Sequence, residues 1–168
     1  MALETPDDLV ELQALLDRSI ATAGSHLRSI YTHTPPISAE ELVDLLPGMQ
    51  VIDLATVTAT CEPRVAPVDG HFLKGRWWFG SAADSFRARH LAARPQASAA
   101  HTRGEGLCVL THGHVEHVSL RDPAFDWFLE HLRGHYPTFD EWADLDGPCW
   151  VLQPVRMYAR RAMEEEAA

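Results

Sequence analysis

The chain is poor in cross-links. Its 168 residues include three cysteines, Cys61, Cys108 and Cys149, an odd and widely spaced set with no CxxC pair. A structural disulfide framework is therefore excluded as an expectation, and a reducing, cytoplasmic location follows. Long apolar runs are missing, so no segment has the length of a membrane-spanning helix. The first residues, Met-Ala-Leu-Glu-Thr-Pro-Asp-Asp, lack the basic-then-apolar order of a signal peptide. Positive charge is scarce: 14 Lys and Arg stand against 24 Asp and Glu, a net charge of −10. Such a balance speaks against non-specific nucleic-acid binding and against an anionic membrane surface. There is no internal repeat, and no spacing that specifies a catalytic dyad.

What is there belongs to a globular domain. Hydrophobic residues make up 46% and charged residues 23%, which excludes wholesale disorder. The charge is unevenly placed. Residues 50–121 hold eight basic and six acidic side chains and stand at +2, whereas the flanks together stand at −12. The mildly basic middle can accept an anionic ligand within an acidic protein.

Three segments follow from the pattern. Residues 1–48 read as helical and packed on the rest of the molecule. Thr5 as N-cap and Pro6 at the first position open a helix predicted to run over 6–30, with Leu9, Leu12, Leu16, Ile20, Ala23, Leu27 and Ile30 on one apolar stripe. Thr34-Pro35-Pro36 breaks it. Ser38 and Glu41 then form a capping box, with Ile37 and Leu42 as a hydrophobic staple, for a helix over 39–46. Residues 49–159 change character. Strands are predicted at 51–59, 63–73, 76–81, 97–102, 107–120 and 149–158, with a helix over 84–93 and another from Asp122-Pro123 to about Arg133. Residues 160–168 read as a disordered tail. Six short strands with a single helix inserted among the first five predict a small antiparallel barrel, mainly β with helical additions, rather than a doubly wound α/β sheet.

The middle of the chain carries a resemblance. The run Leu54-Ala55-Thr56-Val57-Thr58-Ala59, then Pro63-Arg64-Val65-Ala66-Pro67-Val68-Asp69-Gly70, Trp77-Trp78-Phe79-Gly80-Ser81, Asp84-Ser85-Phe86-Arg87, Leu91, Arg94-Pro95 and Gly113-His114-Val115-Glu116 resembles the pyridoxamine 5′-phosphate oxidase-like family. The resemblance spans about residues 50–120. It implies a flavin-binding, six-stranded split β-barrel and a homodimer with FMN at the subunit interface. It further implies an oxidoreductase acting on an unidentified small molecule. Arg64, Val65, Ala66 and Pro67 match the strand that lies along the flavin ring, and Ser81, Ser85 and Arg87 match the phosphate site. His101 lies on a strand that the resemblance places near the pocket. The alternatives within the family are a deazaflavin-dependent reductase and a non-catalytic flavin or haem carrier. The chain departs from the family in three places. Thr60-Cys61 stands where Asp-Gly is usual, Phe86 replaces a second cation, and the C-terminal substrate motif of the true oxidase is missing. Pyridoxamine phosphate is therefore not the expected substrate.

Hydroxyls, a helix start and a cation together suit a phosphate group. Flavin chemistry asks little of side chains, so a missing catalytic dyad does not count against it. Ten histidines invite a metal reading, and His112, His114 and Glu116 share a strand face in the manner of half a cupin motif. Their carboxylate comes too early and no second half follows, so exposed strand histidines, His117 included, are the expectation. Cys108 is expected as a small buried hydrophobe. Trp77 and Trp78 must face opposite ways on one strand. One is expected in the barrel, the other at an interface or under the N-terminal helix.

Overall fold

The computed structural model describes residues 3–32 and 35–162. Helices α1 (Pro6–Ala21), α2 (Ser25–Thr32) and α3 (Ala39–Leu45) precede strands β1 (Met49–Val57), β2 (Pro63–Leu73) and β3 (Arg76–Gly80). Helix α4 (Phe86–Ala93) leads into β4 (Gln96–Arg103) and β5 (Leu107–Val118). A 3-10 turn at Pro123–Phe125, helices α5 (Asp126–His135) and α6 (Phe139–Trp142), and β6 (Cys149–Arg161) complete the chain.

The six strands close into an antiparallel barrel in the order β1-β2-β3-β6-β5-β4. Closure between β1 and β4 is brief, pairing only Asp53–Ala55 with Ser98–Ala100. Alternation divides the side chains. Ile52, Leu54, Val68, Phe72, Trp77, Phe79, Val109, Val115 and Leu152 fill the interior. Burying each such side chain is worth about 1.5–3 kcal/mol. Trp77 also donates its indole N–H to Thr111 Oγ1 at 3.2 Å, so this fully buried hydroxyl is satisfied.

The outer face is covered unevenly. Helix α5 lies over Leu73, Trp78, Val118 and Val151, with Phe128, Leu129 and Leu132 facing them. Trp78 is thus the outward member of its pair, and α5 covers it together with Trp127 and Phe128. Helix α1 packs on β6, where Ser19 Oγ, itself bonded to the Leu15 carbonyl, accepts the Met157 N–H at 3.0 Å. Strand β3 runs out at Arg76, so this bond reaches a stretch of β6 beyond its pairing with β3.

Several expectations change in detail. The helix predicted over 6–30 is two helices, because α1 ends at a Thr22 C-cap and α2 starts at Ser25. The apolar stripe holds through Ala23 and Leu27 but then shifts by one position: Tyr31 packs with them against Tyr158, whereas Ile30, expected on the stripe, is exposed. Thr5 and Asp8 form a reciprocal capping box. At α3 only half the expected box exists. Ser38 accepts the Glu41 N–H, while the Glu41 carboxylate pairs with Arg161 at 2.6 Å. Strand β6 continues through Arg161, so Arg160 and Arg161 belong to the barrel, and the rest of the predicted tail beyond Ala162 lies outside the described residues. The Thr60-Cys61 turn works because Cys61 adopts φ 61°, the conformation a glycine supplies more cheaply. Cys149 is the buried cysteine, and Cys108 is only half-buried.

One irregularity bends the barrel. Between His112 and Gly113 the β5–β6 register shifts, leaving Val155 as the extra residue opposite them. A Cβ on Gly113 would lie 1.9 Å from the Gln153 carbonyl oxygen, so only glycine allows the strands to approach this closely.

Candidate anion site at the α4 corner

Strand β3 ends at Gly80, and the Ser81 N–H is held by the Pro148 carbonyl at 3.1 Å. Four residues on, Ser85 caps α4 by accepting the Ala88 N–H at 3.0 Å. The two hydroxyls are hydrogen-bonded at 2.9 Å. Arg87, in the first turn of the helix, folds back over them. One of its terminal nitrogens donates to Ser81 Oγ at 3.4 Å and the other to the Pro67 carbonyl on β2 at 2.9 Å. Two local elements and one distant strand thus converge on a single guanidinium.

That guanidinium is half-buried and forms no ion pair among the described residues. Burial alone lowers its pKa from the ordinary arginine value. Neighbouring arginines are differently disposed. Arg89 is exposed, donates to the Asp84 carbonyl at 2.6 Å and lies over the Phe86 ring. Arg64 is exposed and paired with Glu62 at 2.7 Å. Arg89 also lacks a carboxylate partner among the described residues, but Arg87 is the one of the three that is half-buried and held against two hydroxyls.

The other expected site residues separate by strand parity. Val65 and Pro67 face outward on β2, opposite Ala55 and Asp53. Ala66 pairs with the buried Leu54 and turns toward the interior. The run 64–67 thus offers a ligand outside the barrel two side chains and its backbone, not four side chains. His101 shares the parity of Ala97 and Ala99, which are buried, and it too faces inward, only 6% exposed. Its Nδ1–H donates to the Val51 carbonyl at 2.9 Å, and its ring lies 6.1 Å from that of Trp77. Its Nε2 has no hydrogen-bond partner among the described residues. The structure brings Pro67, Ser81, Ser85 and Arg87 together, leaves Arg64 at the adjoining turn, and places His101 behind the sheet.

The Pro67 carbonyl as an anchor for Arg87 was not readable from local spacing, because twenty residues separate them. A signal did exist, since a carbonyl on an exposed strand stretch next to a half-buried cation needs a donor. On the opposite side of α4, Leu91, Pro95, Val115, Pro148 and Trp150 line an open cleft of about 610 Å³ with Arg89 and His117 beside it. The strand histidines are exposed. His112 bonds Ser98 Oγ at 2.8 Å and His114 sits 3.6 Å from Glu116. Among the described residues no group of three or more His, Cys, Asp or Glu side chains is placed to hold a metal, and no helix is long and apolar enough to cross a membrane.

No family model and no curated protein matches the sequence. Solved structures do match. A haem-binding protein from Mycobacterium smegmatis superposes with a TM-score of 0.55 at 20% identity over 68% of this chain and 53% of that one. The present chain thus spans about half the length of that protein. A Listeria innocua protein assigned as a pyridoxamine 5′-phosphate oxidase gives 0.59 at 10% identity, over 73% and 98% of the two chains. An F420 reductase gives 0.51 at 20% identity, over 68% and 93%. The fold is the split β-barrel of the pyridoxamine 5′-phosphate oxidase-like proteins. At these identities the likeness speaks for the fold. The relatives named carry different chemistries, so the choice among them rests on this chain's own residues.

Proposed function

We propose that the split barrel binds FMN, with the phosphate at Ser81, Ser85 and Arg87, and acts as an oxidoreductase on a small molecule. The observation that carries the reading is Arg87: a half-buried cation with two hydroxyls beside it and no carboxylate to neutralise it. A phosphate supplies the missing charge and accepts from both serines and the guanidinium. The start of α4 adds a favourable dipole. The ring would lie along the outward stretch of β2 at Val65 and Pro67, where backbone groups and apolar surface adjoin the anion site. Bound flavin supplies the hydride or electron transfer. The chain's residues hold the phosphate, orient the ring and keep water from its face.

The same reading includes a homodimer. The outer face of β1 and β2 carries Val51 and Val65 more than half exposed, and Pro67 lies between them and the anion site. A second copy against this face would cover them and shield the ring. His101 has no contact with the cofactor in this reading, because its ring lies on the inner side of the sheet.

A deazaflavin coenzyme also carries phosphate and would use the same cation, so the absorbance of purified protein decides first. Paired flavin bands support FMN, a single deazaflavin band supports the reductase alternative, and a Soret band supports haem. FMN titration of Arg87→Met then tests the site. Loss of a charge-assisted contact worth about 1.5–3 kcal/mol should weaken binding roughly 10- to 100-fold. Unchanged affinity would remove Arg87 from the site, and light scattering at the mass of one chain would remove the dimer.

A further inference from the structure

Beneath α5 lies a cluster of imidazoles unrelated to the anion site. His71, on the outward face of β2, is only 3% exposed. Its Nδ1 is 3.0 Å from Nε2 of His131, and its Nε2 is 3.3 Å from the Tyr136 hydroxyl that follows α5. His135, one helical turn beyond His131, stacks on it and meets His71 edge-on at 5.1 Å between centroids. His135 also seats against Gly48, where an added Cβ would be 3.2 Å from its ring. One strand, one helix and the turn into β1 therefore meet at three histidines.

The hydrogen bonds form a chain in which His71 donates through one nitrogen and accepts through the other. That pattern is complete with neutral rings. Few charges offset a proton. Glu4 in the N-terminal segment lies near His131, but its carboxylate accepts the Lys74 N–H. Asp69 on β2 acts on Tyr136, and Lys74 lies over the Trp127 ring. No carboxylate hydrogen-bonds a histidine of the cluster among the described residues. Burial and the two neighbouring histidines push His71 down to about 3, and burial with His135 also lowers His131. A folded-state pKa below the ordinary 6.5 means that the contribution is full above pH 6.5 and is lost as pH falls below it.

We propose that His71 and His131, with His135 packed against both, form an acid-operated latch, which clasps α5 to β2 at neutral pH and releases it on acidification. Release uncovers the apolar strip of Leu73, Trp78, Val118 and Val151. Protonation of His71 alone multiplies the open-to-closed ratio about tenfold per pH unit below 6.5, or about 30-fold at pH 5.

Hydrogen exchange of the full chain, corrected for the intrinsic pH dependence of exchange, tests this. Amides of Asp126–His135 should lose protection about 30-fold or more between pH 7 and pH 5, while those of Leu107–Val118 hold. The doubly substituted His71→Gln, His131→Gln chain should be flat over the same range. Should it not fold, His131→Gln alone should show a shallower response than wild type. The latch is overturned if helix and β5 lose protection together, if the helix changes less than threefold, or if a folded variant keeps the wild-type response.

Discussion

Strands β5 and β6 leave no room for a Cβ at Gly113, and this sets a measurable demand. Replacing Gly113 with Ala puts a methyl carbon 1.9 Å from the Gln153 carbonyl oxygen and 3.2 Å from Pro154 Cα. Ordinary contact is about 3.4 Å, so the strands must part by well over 1 Å at a point where both are continuous ladders. The neighbouring atoms are backbone, so no side chain can swing aside. Core overpacking costs about 1–3 kcal/mol when side chains yield, and a backbone clash belongs at or above the upper end. Taking about 3 kcal/mol, a chain of this size should lose roughly 6–12 °C in Tm. Gly80→Ala is the matched control. It lies at the end of β3, where the nearest atom to an added Cβ is the Pro148 carbonyl oxygen at 3.8 Å. Thermal unfolding followed by circular dichroism should show the large loss for Gly113→Ala and a change within about 2 °C for Gly80→Ala. Equal Tm values for the two variants would refute the claim that the bulge requires a glycine.

Two further outcomes follow from buried groups. Trp77→Phe strands the Thr111 hydroxyl in the core and should cost about 1–3 kcal/mol beyond the lost volume, while the Trp77→Phe, Thr111→Val pair should recover part of that cost in chemical denaturation. Burial holds the Cys149 thiol up at about 12, so under native conditions a thiol reagent should label exposed Cys61 first and Cys149 only after unfolding. Cys61→Gly should remove the fast phase without lowering Tm, since glycine suits its backbone angle.

The strands were legible because each is bounded by turn residues and carries β-branched or aromatic side chains. Pro63–Leu73 is found with its predicted limits, and the other five differ at their ends by at most a few residues. The break between α1 and α2 was not legible, because the apolar spacing continues through Ala23 and Leu27, and only the exchange of Ile30 for Tyr31 on the buried face marks the new helix. Helix α6, a single turn, leaves no periodic trace. At the candidate site, Ser81, Ser85 and Arg87 were readable since their spacing around a helix start is local. The Pro67 carbonyol contact depends on which strand the barrel brings alongside. The inward placement of His101 was also readable, since it shares the parity of the small residues Ala97 and Ala99. The histidine cluster escaped notice because sixty residues separate His71 from His131.

The Ser19–Met157 bond has a consequence for assembly. Past Leu152, β6 extends beyond its partner β3, and backbone donors and acceptors on that margin are a template for another strand. Helix α1 occupies the margin and takes up one donor with a side-chain oxygen. It is a chaperone in cis, closing to other chains a seam that the barrel itself leaves open. A chain stripped of α1 would present that seam to its own copies, and strand addition there need not stop at two.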